Sequence, residues 1–195
     1  MADAKWVSRQ GLAAAGVVTG RQGVVPWTYY DTNDIANGNS STTQEFFINE
    51  KGSQGEAITN LENKNILQSG KQMYLSAVDL DLWNNAGLVA GSLADLQKIV
   101  GVKSSYKFEV NGKVMLQGGL SDLCGGSLYG FGTPGTYNQY AASRRVVRTA
   151  LDGAILIPTA TTFTFTVTWA AAPNPAVAVT MRINFRGQLV RLGTQ

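Results

Sequence analysis

Residues 162–169 read Thr-Phe-Thr-Phe-Thr-Val-Thr-Trp, so a threonine precedes every large apolar side chain. A similar alternation resumes over residues 177–185. Successive side chains of an extended strand point to opposite faces, and a period of two therefore collects the apolar side chains on one face. These two stretches predict strands of a β-sheet that buries one face and presents threonines on the other.

The strongest local pattern is a hairpin around Asn111-Gly112. Strand-forming residues occupy 106–110 and 113–117, and the Asn-Gly dipeptide between them supplies the two positive φ angles of a type I′ turn. A two-residue loop at this position would pair Phe108 with Met115 across the two strands.

Shorter patterns predict the remaining strands. They cover residues 24–30, 44–49, 73–83, 145–151 and 154–157, while the two alternating stretches give strands over 163–169 and 177–192. In strand 73–83, a period of two would place Tyr74 with Val78 on one face and Asp79 with Asp81 on the other.

One short helix is predicted for residues 92–101. Ser92 can cap it, and Asp95 stands three residues later, where a capping box requires an acid. Leu96 and Ile99 continue a helical apolar spacing.

These elements predict a single all-β domain over residues 24–195, preceded by an extended N-terminal arm over residues 1–23. The arm is rich in alanine and glycine and lacks periodicity. Many antiparallel strands with one apolar face and one helix describe an antiparallel β-sandwich. Within that class we expect a single jelly roll of about eight strands, since an immunoglobulin-like sandwich would be smaller.

The composition limits the chemistry of the chain. It contains no histidine, which removes the histidine-dependent hydrolase mechanisms and the commonest metal ligand. Its single cysteine, Cys124, cannot form a disulfide within the chain. Charged residues make up 15% of the sequence, which is below the typical value of roughly 25%. We therefore expect a contact protein that is not an enzyme and that needs no cofactor.

The paired acids leave alternatives open. Asp79 and Asp81 share a strand face, and the first interpretation is that this face is solvated. A catalytic carboxylate pair is the second interpretation. Calcium ligation by this pair, or by Asp31 and Asp34, is the third.

A glycine-rich stretch over residues 118–140 carries aromatic side chains and almost no charge. Its candidate subunit contacts are Tyr129, Phe131, Tyr137 and Tyr140. Interface cores are enriched in aromatic residues and depleted of charge, so a contact with another subunit is the first interpretation. Stacking on sugars or nucleic-acid bases is the alternative.

Basic residues lie near both ends of the chain and in one cluster. The candidate contacts to nucleic acid, to a membrane or to a neighbouring subunit are Lys5, Arg9, Arg21, Arg144, Arg145 and Arg148. The net charge of +3 is mild for a nucleic-acid binder. No signal peptide is recognised, and no apolar run approaches the ~20 residues of a membrane span.

Short motifs are spread over residues 40–192. They read Phe46-Phe47-Ile48, Ile58-Thr59-Asn60-Leu61, Leu67-Gln68-Ser69-Gly70, Ile155-Leu156-Ile157-Pro158 and Phe185-Arg186-Gly187-Gln188-Leu189-Val190-Arg191. In these motifs the sequence resembles small jelly-roll structural proteins of bacteriophage virions. The resemblance implies a capsid subunit made in the host cytoplasm and located in the virion. Its partners would be copies of itself and other virion proteins, with nucleic acid or an internal membrane near the basic ends and no small-molecule substrate.

A glycan-binding β-sandwich is the alternative function. Its stacking platforms would be exposed aromatic side chains such as Trp27, Tyr29, Trp83 or Tyr129. A polysaccharide-cleaving enzyme that uses paired acids is a third possibility.

Overall fold

The computed structural model describes residues 5–7, 24–84, 92–101, 103–124, 145–146 and 154–191. The strands in these ranges are β1 (Lys5–Val7), β2 (Val24–Ile35), β3 (Thr43–Phe46), β4 (Lys71–Asn84), β5 (Ser104–Val110), β6 (Lys113–Gly119), β7 (Arg145–Val146), β8 (Ala154–Ile157), β9 (Phe163–Trp169) and β10 (Val179–Arg191). The helices are α1 (Lys51–Gln54), α2 (Ser92–Val100) and a 3-10 helix (Leu120–Cys124).

The strands form two antiparallel sheets. Sheet A has the order β1-β8-β4-β10-β2, with β7 paired to β4 beside β8. Sheet B has the order β3-β9-β5-β6. The predicted antiparallel β-sandwich is therefore confirmed, and the helix predicted over 92–101 is present as α2.

Part of the predicted N-terminal arm is a strand of sheet A. Residues Lys5–Val7 pair with β8, and Lys5 stands opposite Leu156. The remainder of the arm lies outside the described residues.

The apolar faces of β9 and β10 fill the space between the sheets. Phe163, Phe165, Val167 and Trp169 are buried, as their alternation predicts. Phe185 of β10 joins the two sheets, because its ring centroid lies within 6.0 Å of three aromatic rings from sheet B and of one from the loop after β3. These rings belong to Phe47 (4.3 Å), Phe108 (4.8 Å), Phe163 (6.0 Å) and Phe165 (5.9 Å).

The β5–β6 hairpin has the predicted turn but a different register. Asn111 and Gly112 have φ angles of 52° and 74°, as a type I′ turn requires. Phe108 pairs with Leu116 rather than with Met115, because the register shifts between Phe108 and Glu109. The shift is a β-bulge on β6, and it corrects the predicted pairing.

A second bulge changes the inward face of β4. Arg186 pairs with Ala77, whereas Gly187 pairs with Leu75, so Ser76 is an extra residue on β4. The bulge moves Tyr74 to the outer face of sheet A, where it packs with Ala154 and Leu156. The prediction that Tyr74 shares a face with Val78 was therefore wrong.

Gly187 is required opposite this bulge. A Cβ atom at Gly187 would overlap the carbonyl oxygen of Tyr74. The close approach of the two backbones explains why glycine occupies this strand position.

Candidate functional site

The outer face of sheet A carries a network of hydrogen-bonded charges. Asp79 Oδ2 accepts a hydrogen bond from Arg186 Nε, and Asp81 Oδ2 accepts one from Asn184 Nδ2 at 2.7 Å. Only 4% of Asp79 is exposed, so the interpretation of a solvated face is wrong for this residue. Each acid is engaged by a different partner, and this geometry ties β4 to β10.

Arg182, on the same outer face, connects β10 to β2 and to the loop after β3. Its Nε donates to Thr32 Oγ1 at 2.9 Å, and its Nη2 donates to the carbonyl oxygen of Ala57 at 2.9 Å. The guanidinium also lies 4.8 Å from the centre of the Tyr30 ring, within the range of a cation–π contact. Arg182 therefore fixes the loop that contains α1 against sheet A.

Asp31 and Asp34 do not form a shared site. They stand three residues apart on β2 and so on opposite faces. Asp34 Oδ1 accepts a hydrogen bond from Thr180 Oγ1 at 2.5 Å on the outer face. No group of three or more acidic or cysteine side chains that could hold a metal ion occurs within the described ranges.

Asp31 is a fully buried carboxylate that holds the segment after β3. Its Oδ2 accepts a hydrogen bond from Phe47 N–H at 2.5 Å, and its Oδ1 accepts one from Asn49 Nδ2 at 3.0 Å. Burial raises the pKa of Asp31, and the hydrogen bonds from Asn49, Phe47, Thr32 and Thr59 only partly oppose this rise.

Asp95 holds a different segment. Predicted as a capping-box acid, it accepts hydrogen bonds from the N–H groups of Ala176 at 3.0 Å and Val177 at 3.3 Å, and from Lys98 Nζ at 3.1 Å. Burial would raise the pKa of Asp95, but the hydrogen bonds from Ala176, Lys98 and Val177 outweigh it and lower the pKa. Asp95 therefore fixes α2 to the segment before β10.

A shallow groove of about 480 Å³ lies between the end of α2 and the segment after β9. Its lining includes Lys98, Lys103, Trp169 and Asn174. Trp169 Nε1 donates to the carbonyl oxygen of Ile99 at 2.7 Å, which fixes the groove wall. The Asp95 carboxylate compensates part of the Lys98 charge.

The outer face of sheet B is rich in hydroxyl groups. Thr164, Thr166 and Thr168 of β9 run along its middle, with Thr43 and Ser105 beside Thr168. Its charges include an ion pair, in which Lys107 Nζ lies 3.0 Å from Glu109 Oε2. At one end of this face Val114 is 44% exposed.

An exposed tryptophan lies at the edge of sheet A. Trp27 is 39% exposed, and its ring contacts the buried Tyr29 ring edge-on, with centroids 6.1 Å apart. Burial raises the pKa of Tyr29 to about 12, with a smaller contribution from the negative charge of Glu62. Glu62 forms an ion pair of 3.2 Å with Lys71, so charged groups lie close to this aromatic pair.

The structure tests few of the predicted contact residues. Tyr129, Phe131, Tyr137 and Tyr140 lie outside the described residues, and the same holds for Arg9, Arg21, Arg144 and Arg148. Lys5 and Arg145 lie on β1 and β7, at positions paired to Leu156 and Val78. Their proposed contacts stay predictions.

No protein-family model, no curated protein and no solved structure matches this chain. Any assignment of function therefore depends on the residues and geometry of the chain itself. None of the helices within the described ranges has the length and apolar content needed to cross a membrane.

Proposed function

We propose that this chain is a structural subunit of a virion, in which the β-sandwich packs against copies of itself in a capsid shell. The observation that carries the proposal is the pairing of the eight main strands. Counted without β1 and β7, the first strand pairs with the eighth, the second with the seventh, the third with the sixth and the fourth with the fifth. These pairs are β2–β10, β3–β9, β4–β8 and β5–β6.

This nested pairing supports the jelly-roll assignment. One antiparallel ribbon that is folded at β5–β6 and then rolled up gives two four-stranded sheets with two Greek keys. A shell subunit needs such a rigid body together with outward surfaces that bury little charge at contacts.

The outer face of sheet B is the described surface that best suits such a contact. The threonines of its central strand can exchange their hydrogen bonds to water for hydrogen bonds to a partner. Glu45 and Lys107, which flank Thr166 on the neighbouring strands, are of opposite sign, so a contact here buries little net charge. The aromatic stretch with Tyr129, Phe131, Tyr137 and Tyr140 is the second proposed contact. The basic residues near the chain ends are proposed to face nucleic acid or a membrane.

Light scattering over a concentration series, together with negative-stain electron microscopy, tests the proposal. We expect regular closed particles, rings or tubes from the full chain. Thr166→Arg places a charge at the centre of the outer face of sheet B, and we expect it to abolish assembly without changing the thermal unfolding temperature. Gln54→Arg, on the exposed side of α1, is the matched control and should assemble normally. A monomer at every concentration, with and without nucleic acid, would overturn the proposal.

A glycan-binding module is the second candidate, and the exposed ring of Trp27 favours it. An aromatic ring at a rigid strand edge can stack on the apolar face of a sugar, while the neighbouring Glu62 and Lys71 offer hydrogen bonds to its hydroxyl groups. We expect Trp27→Ala to remove any binding on a glycan array, whereas Val114→Ala should retain it. Equal binding by both variants would exclude Trp27 as the platform.

A further inference from the structure

The chain contains two Asn-Gly dipeptides, Asn37-Gly38 and Asn111-Gly112. Both lie in exposed turns, and both glycines have positive φ angles, 77° at Gly38 and 74° at Gly112. In an Asn-Gly dipeptide the glycine N–H approaches the side-chain carbonyl of asparagine easily, because glycine has no Cβ to obstruct it. The two sites therefore have the same intrinsic chemistry.

Their surroundings differ. Asn37 Nδ2 donates to the carbonyl oxygen of Ala176 at 2.8 Å, and Gly38 N–H donates to Asn174 Oδ1 at 2.9 Å. The leaving group and the nucleophile of a cyclisation reaction are thus both held in place at Asn37.

The second site lacks these restraints. The backbone N–H of Asn111 donates to the carbonyl oxygen of Thr162 at 2.8 Å. Within the part of the chain that the structure describes, neither the Asn111 carboxamide nor the Gly112 N–H forms a hydrogen bond. Apart from the adjoining residues, no heavy atom lies within 4 Å of the position that a Cβ of Gly112 would occupy, and the same holds at Gly38, so the two sites differ in their hydrogen bonds and not in the space around the glycine.

We propose that Asn111 is a site of spontaneous deamidation and that Asn37 is protected from it. The Gly112 nitrogen attacks Asn111 Cγ, so that a bond forms between these atoms while the bond from Cγ to Nδ2 breaks. The amide proton leaves with the nitrogen as ammonia, and a succinimide remains. Water then opens either carbonyl of this ring to give aspartate or isoaspartate, with no change in oxidation state.

The product would alter the hairpin. Isoaspartate adds a methylene group to the backbone of a two-residue turn whose length sets the β5–β6 register. Aspartate keeps the backbone length. Both products add one negative charge beside β6, an edge strand of sheet B.

Peptide mass spectrometry of the full chain after incubation in mildly alkaline buffer tests the proposal. In the folded protein, we expect Asn111 to convert severalfold faster than Asn37. In concentrated urea, where the turns and hydrogen bonds are lost, the two sites should convert at similar rates.

Asn174→Ala is the matched variant, because it releases Gly38 N–H and leaves the β5–β6 hairpin unchanged. This variant should raise the rate of deamidation at Asn37 and leave the rate of deamidation at Asn111 unchanged. The proposal is overturned if Asn37 converts as fast as Asn111 in the folded wild-type protein. It is also overturned if Asn111 stays intact in the folded protein while it converts in urea.

Discussion

The outer faces of the two sheets are both polar, but their polar groups are used differently. On sheet A, Asp79 and Asn184 are almost completely buried and are bonded to neighbouring strands. On sheet B, Thr168 and Lys107 are exposed, and the Lys107–Glu109 pair lies at the surface. A polar strand face in the sequence therefore does not by itself identify a surface that is exposed to partners. In this protein buried polar groups of sheet A join neighbouring strands, whereas sheet B has exposed polar groups at Thr168 and Lys107.

The largest expected difference between the two sheets is in the free energy of unfolding lost on a Gly→Ala substitution in each. At Gly187 in sheet A, a Cβ would overlap the Tyr74 backbone, so Gly187→Ala must separate β4 from β10. We expect a loss of about 3 kcal/mol or more in the free energy of unfolding, at the upper end of overpacking effects. At Gly119 in sheet B, the nearest atom to a Cβ is Ser121 Oγ at 3.4 Å, and Gly119→Ala should change stability by less than about 1 kcal/mol. Urea unfolding followed by circular dichroism measures both values, and similar losses would refute the close approach at the bulge.

The second test compares two ion pairs. Arg186→Ala leaves the Asp79 carboxylate buried without its guanidinium partner, and we expect a loss of about 2 to 3 kcal/mol, reduced from the fully buried case because Arg186 is 41% exposed. Lys107→Ala breaks the surface pair with Glu109 and should cost less than about 1 kcal/mol. High salt should widen the difference between the two losses slightly, since screening acts mainly on the exposed pair and so lowers the cost of Lys107→Ala. Equal losses in the free energy of unfolding for Lys107→Ala and Arg186→Ala would contradict the claim that the ion pair on sheet A stabilises the fold more than the one on sheet B.

Local patterns predicted much of the fold. The alternation in β9 and β10, the Asn111-Gly112 turn and the helix over 92–101 depend on neighbours within a few residues, and all three are confirmed. The bulges at Ser76 and Met115 could not be read from one strand, because register belongs to a pair of strands.

The hydrogen bonds of the buried acids Asp31 and Asp95 were not predicted from the sequence, for a related reason. The groups that bond Asp31 and Asp95 lie 16 and 81 residues away in the chain, at Phe47 and Ala176. Sequence spacing placed Asp95 near a helix start and placed Asp31 just after the strand predicted over 24–30, but it contained no sign of these partners. The predicted contact residues of the aromatic stretch lie outside the described residues and stay predictions.

The smallest expected effects are changes in the free energy of unfolding with pH. They concern Asp95 and Asp31, the two buried acids that bond loop segments to the sandwich. The pKa of Asp95 is lowered in the folded protein, so its stabilising contribution is complete above the ordinary value of 3.8 and is lost as the pH falls through the lower folded pKa. The pKa of Asp31 is raised, so the folded state is favoured by protonation below 3.8, and this advantage is lost as the pH rises through the folded pKa. Asp95→Asn should therefore be destabilised by about 1 to 2 kcal/mol near neutral pH, with the deficit shrinking in acid.

Asp31→Asn should show the opposite trend, because asparagine cannot ionise. Relative to wild type, this variant should gain stability as the pH rises from about 4 towards 7. Urea unfolding of wild type and both variants measures the two slopes, below about pH 4 for Asp95→Asn and from about pH 4 towards 7 for Asp31→Asn. Slopes of the same sign would contradict the opposite shifts. Opposite slopes would mean that Asp95 holds the segment before β10 as an anion that its hydrogen bonds stabilise. Asp31 would hold the segment after β3 through a carboxyl group whose neutral form is favoured by burial. The two ties would then weaken in different pH ranges, and acid would release the segment before β10 while leaving the segment after β3 in place.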